Sequence, residues 1–286
     1  MNYSKKFLVK PGSKLHLPEI DSGFKDEHHS RDKAAAATAE QVERMARLQY
    51  LLYADGRRSL LVVLQALDAG GKDGTIRHLF GSMNPQGTVV VPFKQPSAVE
   101  LAHDFLWRAH MRAPARGEVV IFNRSHYEDV LVVRVRNLAP AEVWSKRFDQ
   151  INAFEKLLAE NGTRILKFYL HISPDEQLHR FEKRLEEADK HWKISESDYS
   201  ERQFWPQYIE AYEEAIERTS TEWAPWFVIP SDHKWFRNLA ISHIIADAMD
   251  EMGMSLPPAR VDIAAIRQMY ENARRHPIEL KGKKGD

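Results

Sequence analysis

No cysteine occurs in the 286 residues, which removes disulfides, thiolate catalysis and cysteine-ligated zinc together and is compatible with a reducing compartment. Net charge is absent too. The 41 Lys+Arg balance 41 Asp+Glu, so no overall basic field draws in nucleic acid or a membrane surface, and a polyanion site has to be built by local clustering. No stretch reaches the length of apolar sequence that spans a bilayer. Met1 to Pro18 mixes lysine with apolar residues and lacks the unbroken apolar core of a signal peptide. The expected location is the cytoplasm, with neither membrane nor nucleic acid as a partner. Internal repeats and low-complexity tracts are lacking as well.

What is present is a globular composition, 43% hydrophobic and 29% charged, in a chain long enough for one large α/β domain with decorations or for two small ones. Residues 1–33 carry Pro, Gly, His and mixed charge without periodicity and read as an arm lying on the body. Residues 34–255 read as one domain and 256–286 as a C-terminal extension, whose tail from about His276 is expected to fray. Val42, Met45, Leu48, Leu51 and Leu52 mark an amphipathic helix over Ala34 to Tyr53. Ser59 to Ala66 is a near-continuous apolar run, the pattern of a strand buried on both faces. Further strands are predicted at Thr88 to Pro92, Glu118 to Phe122, Arg164 to Ile172 and Phe227 to Pro230. Helical patterns at 72–84, 98–112, 125–158, 174–188, 203–219 and 233–252 separate them, which implies a parallel sheet covered on both sides.

Chemistry concentrates at two strand ends. After the run at 59–66 comes Leu67-Asp68-Ala69-Gly70-Gly71-Lys72-Asp73-Gly74-Thr75 and then a helix. Glycines between strand and helix bring backbone N–H groups close to an anion, the helix N-terminus adds partial positive charge, and Lys72 can reach a transferring phosphate. The match to GxxxxGK[ST] is imperfect, because Ala66 stands at the first glycine and Asp73 where a magnesium-binding hydroxyl is expected. A plain strand-to-helix turn with a solvated lysine is the alternative. Asp68 narrows the choice. A carboxylate about 4 Å from a phosphate charge costs roughly 4 kcal/mol at an effective dielectric of 20, so it calls for a compensating cation. Magnesium, bound directly or through water, is the economical explanation; an N-cap or turn role is the alternative.

The second strand end is Asn123-Arg124-Ser125-His126-Tyr127-Glu128-Asp129. A P-loop kinase ends this strand in a metal-binding Asp; with Asn123 there, the charge falls to Glu128 or Asp129. Arg124 lies just beyond the strand, where open α/β sheets bind ligands, and its planar fork suits phosphate oxygens. Arg134 and Arg136 further on either extend a phosphate track or are solvated helix partners. His126 reads as a packing or hydrogen-bonding residue, and the tryptophans of the C-terminal third as core.

These two segments resemble the polyphosphate kinase 2 family: Asp68 to Asp73 is similar to its modified P-loop, and Asn123 to Asp129 to its second motif. Phe93-Lys94-Gln95-Pro96-Ser97 and His191-Trp192-Lys193-Ile194-Ser195 resemble two further signatures, and the likeness covers roughly residues 35 to 255. Glu128 in place of the Asn of the class I form is similar to the class III branch. The resemblance implies a P-loop kinase-like three-layer αβα sandwich with a parallel sheet and a helical lid at about 177–210. It implies transfer from inorganic polyphosphate to AMP and ADP, giving ADP and ATP, with Mg²⁺ or Mn²⁺ and a homo-oligomer, dimer or tetramer. By the same carry-over Asp68, Lys72 and Arg124 are catalytic. Ala69, Gly70, Gly71, Lys72, Asp73, Gly74, Thr75, Lys94, Arg134, Arg184 and Lys193 bind phosphate, Asn123, Glu128 and Asp129 serve the nucleotide, and Asp68 holds the metal with Asn123, Glu128 or Asp129. Three rival functions remain: an ADP-only phosphotransferase, an ATP-dependent nucleotide kinase, and a non-catalytic polyphosphate-binding protein.

Overall fold

The computed structural model describes residues 2–25 and 30–276, and the chain divides into two compact units, Met1–Ser255 and Leu256–Asp286. Six strands form the sheet of the first unit: β1 (Leu8–Val9), β2 (Ser59–Gln65), β3 (Thr88–Pro92), β4 (Val119–Asn123), β5 (Thr163–His171) and β6 (Trp226–Pro230). Their order is β1-β6-β5-β2-β4-β3, and every pairing is parallel except that of β1 with β6. The antiparallel β1 is an element that the aperiodic arm did not announce. Two residues are too few to show alternation, and the strand exists because β6 offers it an edge.

All seven residues of β2 are buried, because helices cover both faces. Alternate residues serve opposite layers. Leu60, Val62 and Leu64 join Leu166, Phe168 and Leu170 under α2 (Arg31–Asp55) and α12 (Lys234–Asp250), whereas Leu61 and Val63 join Ile165 and Tyr169 under α8 (Arg147–Glu160) and α11 (Trp205–Thr219). Three layers result. The long helical pattern at 125–158 breaks into a 3₁₀ turn at His126–Asp129 and short helices α6 (Val132–Val135) and α7 (Ala141–Trp144) before α8 begins. Asn137 with φ 51° and Pro140 in front of α7 cause the break. Likewise 98–112 holds two single turns, α4 (Ala98–Leu101) and α5 (Trp107–His110), rather than one helix.

Over the C-terminal ends of the strands lie α9 (Pro174–Glu186), a 3₁₀ segment Ala188–Lys193 and α10 (Glu196–Arg202). Ser173 caps α9 by accepting from Glu176 N at 3.0 Å, with Pro174 at the first helical position. In the second unit α13 (Ile263–Arg275) is capped by Asp262, which accepts from Ala264 N and Ala265 N. The tail expected to fray begins at the last described residue, and its remainder lies outside the described residues.

Candidate active site

β2 runs through Ala66 to Gly71 into α3 (Lys72–Phe80), and the turn is sterically exacting. Gly71 adopts φ 102°, and a Cβ there would strike the Arg237 guanidinium; at Gly70 a Cβ would collide with Ala66 and lie 2.9 Å from Leu67 O. Glycine is required at both positions. Gly71 also caps α3 without any side-chain hydrogen bond, so the opening N–H groups of the helix remain for an anion. Lys72 is buried, with Nζ folded back to donate to Ala66 O at 2.9 Å. Burial, and then the neighbouring Arg124, pull its ammonium down to about 8, against Asp68, Glu128 and Asp73.

Arg124 closes the other wall. Its backbone has φ 60°, and Nη2 donates to Asp68 Oδ1 at 2.6 Å while Nη1 lies 3.5 Å from Glu128 Oε2. Glu128 first, with Asp68 behind it, raises the Arg124 guanidinium even further above neutrality against the effect of burial. Asn123 Nδ2 donates to Asp73 Oδ1 at 2.8 Å, tying the end of β4 to α3. Asp68, Arg124 and Glu128 border a cleft of about 260 Å³ that Gln177 of α9, Asp198 of α10, and Tyr208 and Tyr212 of α11 complete. Gln177 Nε2 also donates to Asp68 O at 2.9 Å.

Two arginines that sequence reasoning left out of the site stand beside the same loop. Arg180 on α9 is buried, and its guanidinium donates to Ala69 O at 2.8 Å and Ser231 O at 2.5 Å. Arg237 on α12 is 2% exposed; Nε and Nη2 donate to Asn238 Oδ1, while Nη1 has no hydrogen-bond partner. Burial, and then Arg180, pull the Arg237 guanidinium down to about 9. A buried cation with a free N–H next to a phosphate loop is a half-made anion site. The available signals were Arg180 among the interleaved charges at 177–193 and Arg237 in the first turn of the helix predicted at 233–252, features too common to act on alone.

The family model for polyphosphate kinase 2 matches residues 28–257. The chain belongs to that family. It is 50% identical over 254 residues to the AMP/ADP-polyphosphate phosphotransferase of Meiothermus ruber, covering 88% of this chain and 95% of that protein. It is 43% identical over 272 residues to the ADP-polyphosphate phosphotransferase of Rhodopseudomonas palustris, covering 90% and 94%. Among solved structures, the polyphosphate kinase 2 of Arthrobacter aurescens superposes with a TM-score of 0.90 at 39% identity, over 95% of this chain and 97% of that one. The predicted P-loop kinase-like sandwich is thereby the fold.

Within this polyphosphate kinase 2 fold the predicted site residues separate into two groups. Asp68 to Gly74, Asn123, Arg124 and Glu128 come together around the loop. The Thr75 side chain is buried and its Oγ1 donates to Gly71 O at 3.1 Å, one turn back in the loop. Asp129 is drawn away by Arg147 at 3.1 Å and Arg108 at 3.5 Å, and burial pushes its carboxyl above the usual range against both arginines. Arg134 pairs with Glu214 at 2.6 Å and lies over Trp144, lining a separate cleft. Arg184 turns inside the lid to Lys193 O at 3.0 Å and to Asp198, and Lys193 lies exposed over Trp192. Lys94 is exposed and borders a third cleft with Phe93 and Arg108. For Asp129 and Arg134 it is a partner elsewhere along the chain that decides where the charge goes.

No group of three or more His, Asp or Glu residues suited to a metal occurs among the described residues. The donor set still fits a hard cation that arrives with its substrate, since Mg²⁺ keeps waters and takes phosphate oxygens beside one or two carboxylates. Asp68, 30% exposed at the cleft, is the carboxylate that fits, with Glu128 second. Asn123 spends its amide nitrogen on Asp73, which leaves the neutral amide oxygen as the ligand atom it could offer.

Proposed function

We propose that this polyphosphate kinase 2 transfers phosphoryl groups from inorganic polyphosphate to AMP and ADP. The observation that carries the reading is the asymmetry around Gly70–Lys72. Arg180 and Arg237, with Lys234 beside them, make one flank net cationic although Glu176 pairs with Arg180 at 2.7 Å, whereas Arg124 is interleaved with both Asp68 and Glu128 on the other. An all-phosphate chain suits the first flank, and a nucleotide with a phosphate and neutral groups suits the second. The similarity to the Meiothermus ruber AMP/ADP enzyme supports both acceptors.

Phosphoryl transfer depends on in-line positioning and charge neutralisation rather than on covalent chemistry by the protein. The N–H groups opening α3 and the Lys72 ammonium receive the oxygens of the transferring phosphate. Arg124 holds the acceptor phosphate in line, and the lid with Gln177 and Arg180 excludes water that would hydrolyse the donor. Mg²⁺ or Mn²⁺, held by Asp68, would neutralise phosphate charge when bound. No phosphoenzyme residue is needed. By family likeness the protein is a homo-oligomer, and no helix among the described residues is long and apolar enough to cross a membrane.

The test is nucleotide production by the purified protein from polyphosphate, Mg²⁺ and AMP, with ADP in parallel and Lys72→Ala as control. ADP and ATP arising from AMP, and absent from the Lys72 variant, support the proposal. Turnover of ADP alone returns the enzyme to the ADP-only class. Activity with ATP but not polyphosphate, or binding without turnover, overturns it.

A further inference from the structure

Behind the Asn123–Asp129 segment the core holds an ion pair that takes no part in the chemistry above. Lys167 stands mid-way along β5 and Glu155 on α8, and both side chains are completely buried. All three ammonium protons have acceptors: Glu155 Oε2 at 2.5 Å, Tyr127 Oη at 2.8 Å and Thr219 O at 2.7 Å. Glu155 Oε1 accepts in turn from Tyr127 Oη at 2.8 Å and lies 3.2 Å from His126 Nε2, an arrangement that puts the imidazole proton on Nε2. Burial pulls the Lys167 ammonium down to about 8. Burial also pushes the Glu155 carboxyl up, but Lys167 and His126 outweigh it and hold it below its usual value. The pair is therefore ionised at neutral pH.

Such a pair gives little stability over apolar side chains of the same volume, because its desolvation offsets its attraction. What it does supply is direction. His126 and Tyr127, the two residues it grips, lie between Arg124 and Glu128. Ser125 completes the clamp by accepting from Tyr127 N and from Gln65 Nε2, both at 3.1 Å. With Arg124 at φ 60°, this segment is held in a conformation that a free loop leaves readily.

We propose that the buried Glu155–Lys167 pair is a positioning element for the acceptor side of the site, gripping His126 and Tyr127 so that Arg124 and Glu128 stand against Asp68 in the cleft. It acts through these residues and touches no substrate. The proposal rests on the phosphotransfer reading for its kinetic test but not for its structural one.

The experiment compares wild type with Glu155→Leu/Lys167→Met, which replaces the pair by apolar side chains, and with Tyr127→Phe. Melting temperature, kcat, KM for AMP and KM for polyphosphate, and amide hydrogen exchange over residues 124–130 are measured. The double variant is expected to melt within a few degrees of wild type, to lose kcat at least 30-fold with KM for polyphosphate within about threefold, and to exchange segment amides at least tenfold faster. Tyr127→Phe, which keeps the ring, is expected to lose kcat about tenfold. Wild-type kcat and exchange in a folded double variant overturn the proposal, and if that variant does not fold, full kcat in Tyr127→Phe does so. An inactive wild type refutes the phosphotransfer reading instead, and the exchange comparison still decides the positioning role.

Discussion

Replacing Arg237 by methionine should make the ligand-free protein more stable while damaging its use of polyphosphate. The guanidinium is 2% exposed, has an unpartnered Nη1 and faces Arg180, and it is pulled down to about 9. At about 1.36 kcal/mol per tenfold change in acidity, this fall from the ordinary arginine range corresponds to roughly 4–5 kcal/mol against the charged form. Below about pH 9 folded and unfolded chains both carry the proton, so the penalty is present in full at neutral pH. It fades as pH rises through 9 and the folded form alone releases its proton. Methionine removes that penalty but forfeits two hydrogen bonds to Asn238, each worth about 1 kcal/mol net. A gain of about 2 kcal/mol remains, or about 4 °C in Tm for a chain of this size. Differential scanning calorimetry at pH 7 and pH 10, with and without polyphosphate, measures it. The variant should melt higher at pH 7, show a smaller advantage at pH 10, and respond less to polyphosphate than wild type. A Tm below wild type at pH 7, or an unchanged polyphosphate response, refutes the reasoning.

Lys72 carries its proton below about pH 8 and loses it above. The kcat/KM for polyphosphate, which reports the free enzyme, should therefore fall as pH rises through 8, while kcat holds to higher pH because bound phosphate retains the proton; a flat kcat/KM to pH 9.5 contradicts this. Glu128→Asn, which removes the carboxylate facing Arg124 at 3.5 Å, should lower kcat/KM for AMP at least tenfold more than for ADP, and steady-state kinetics with both acceptors decide it. Gly71→Ala places a Cβ against Arg237 at φ 102° and should abolish turnover and destabilise the fold by about 2 kcal/mol or more; wild-type activity in that variant would disprove the tight loop. Asp129→Asn should leave KM for both nucleotides within twofold, since its carboxylate faces Arg147 and Arg108, and a tenfold rise in KM would return it to the site.

The sequence by itself determined the parts of this protein whose physics is local. The buried strand 59–65, the glycine turn and the helix after it are contiguous, so Asp68, Gly70, Gly71 and Lys72 could be read as one phosphate site without knowing the topology. Asn123, Arg124 and Glu128 were legible for the same reason, standing at the end of an apolar strand. Tertiary structure alone decided which of the other charges belong to the site. Arg180 and Arg237 lie on separate helices and meet at Gly71 only because α9 and α12 return to the loop, whereas Arg134 and Asp129, close to the motif in sequence, are claimed by Glu214, Arg147 and Arg108. A charge goes where its nearest opposite charge and its burial send it, and both are set by residues far along the chain.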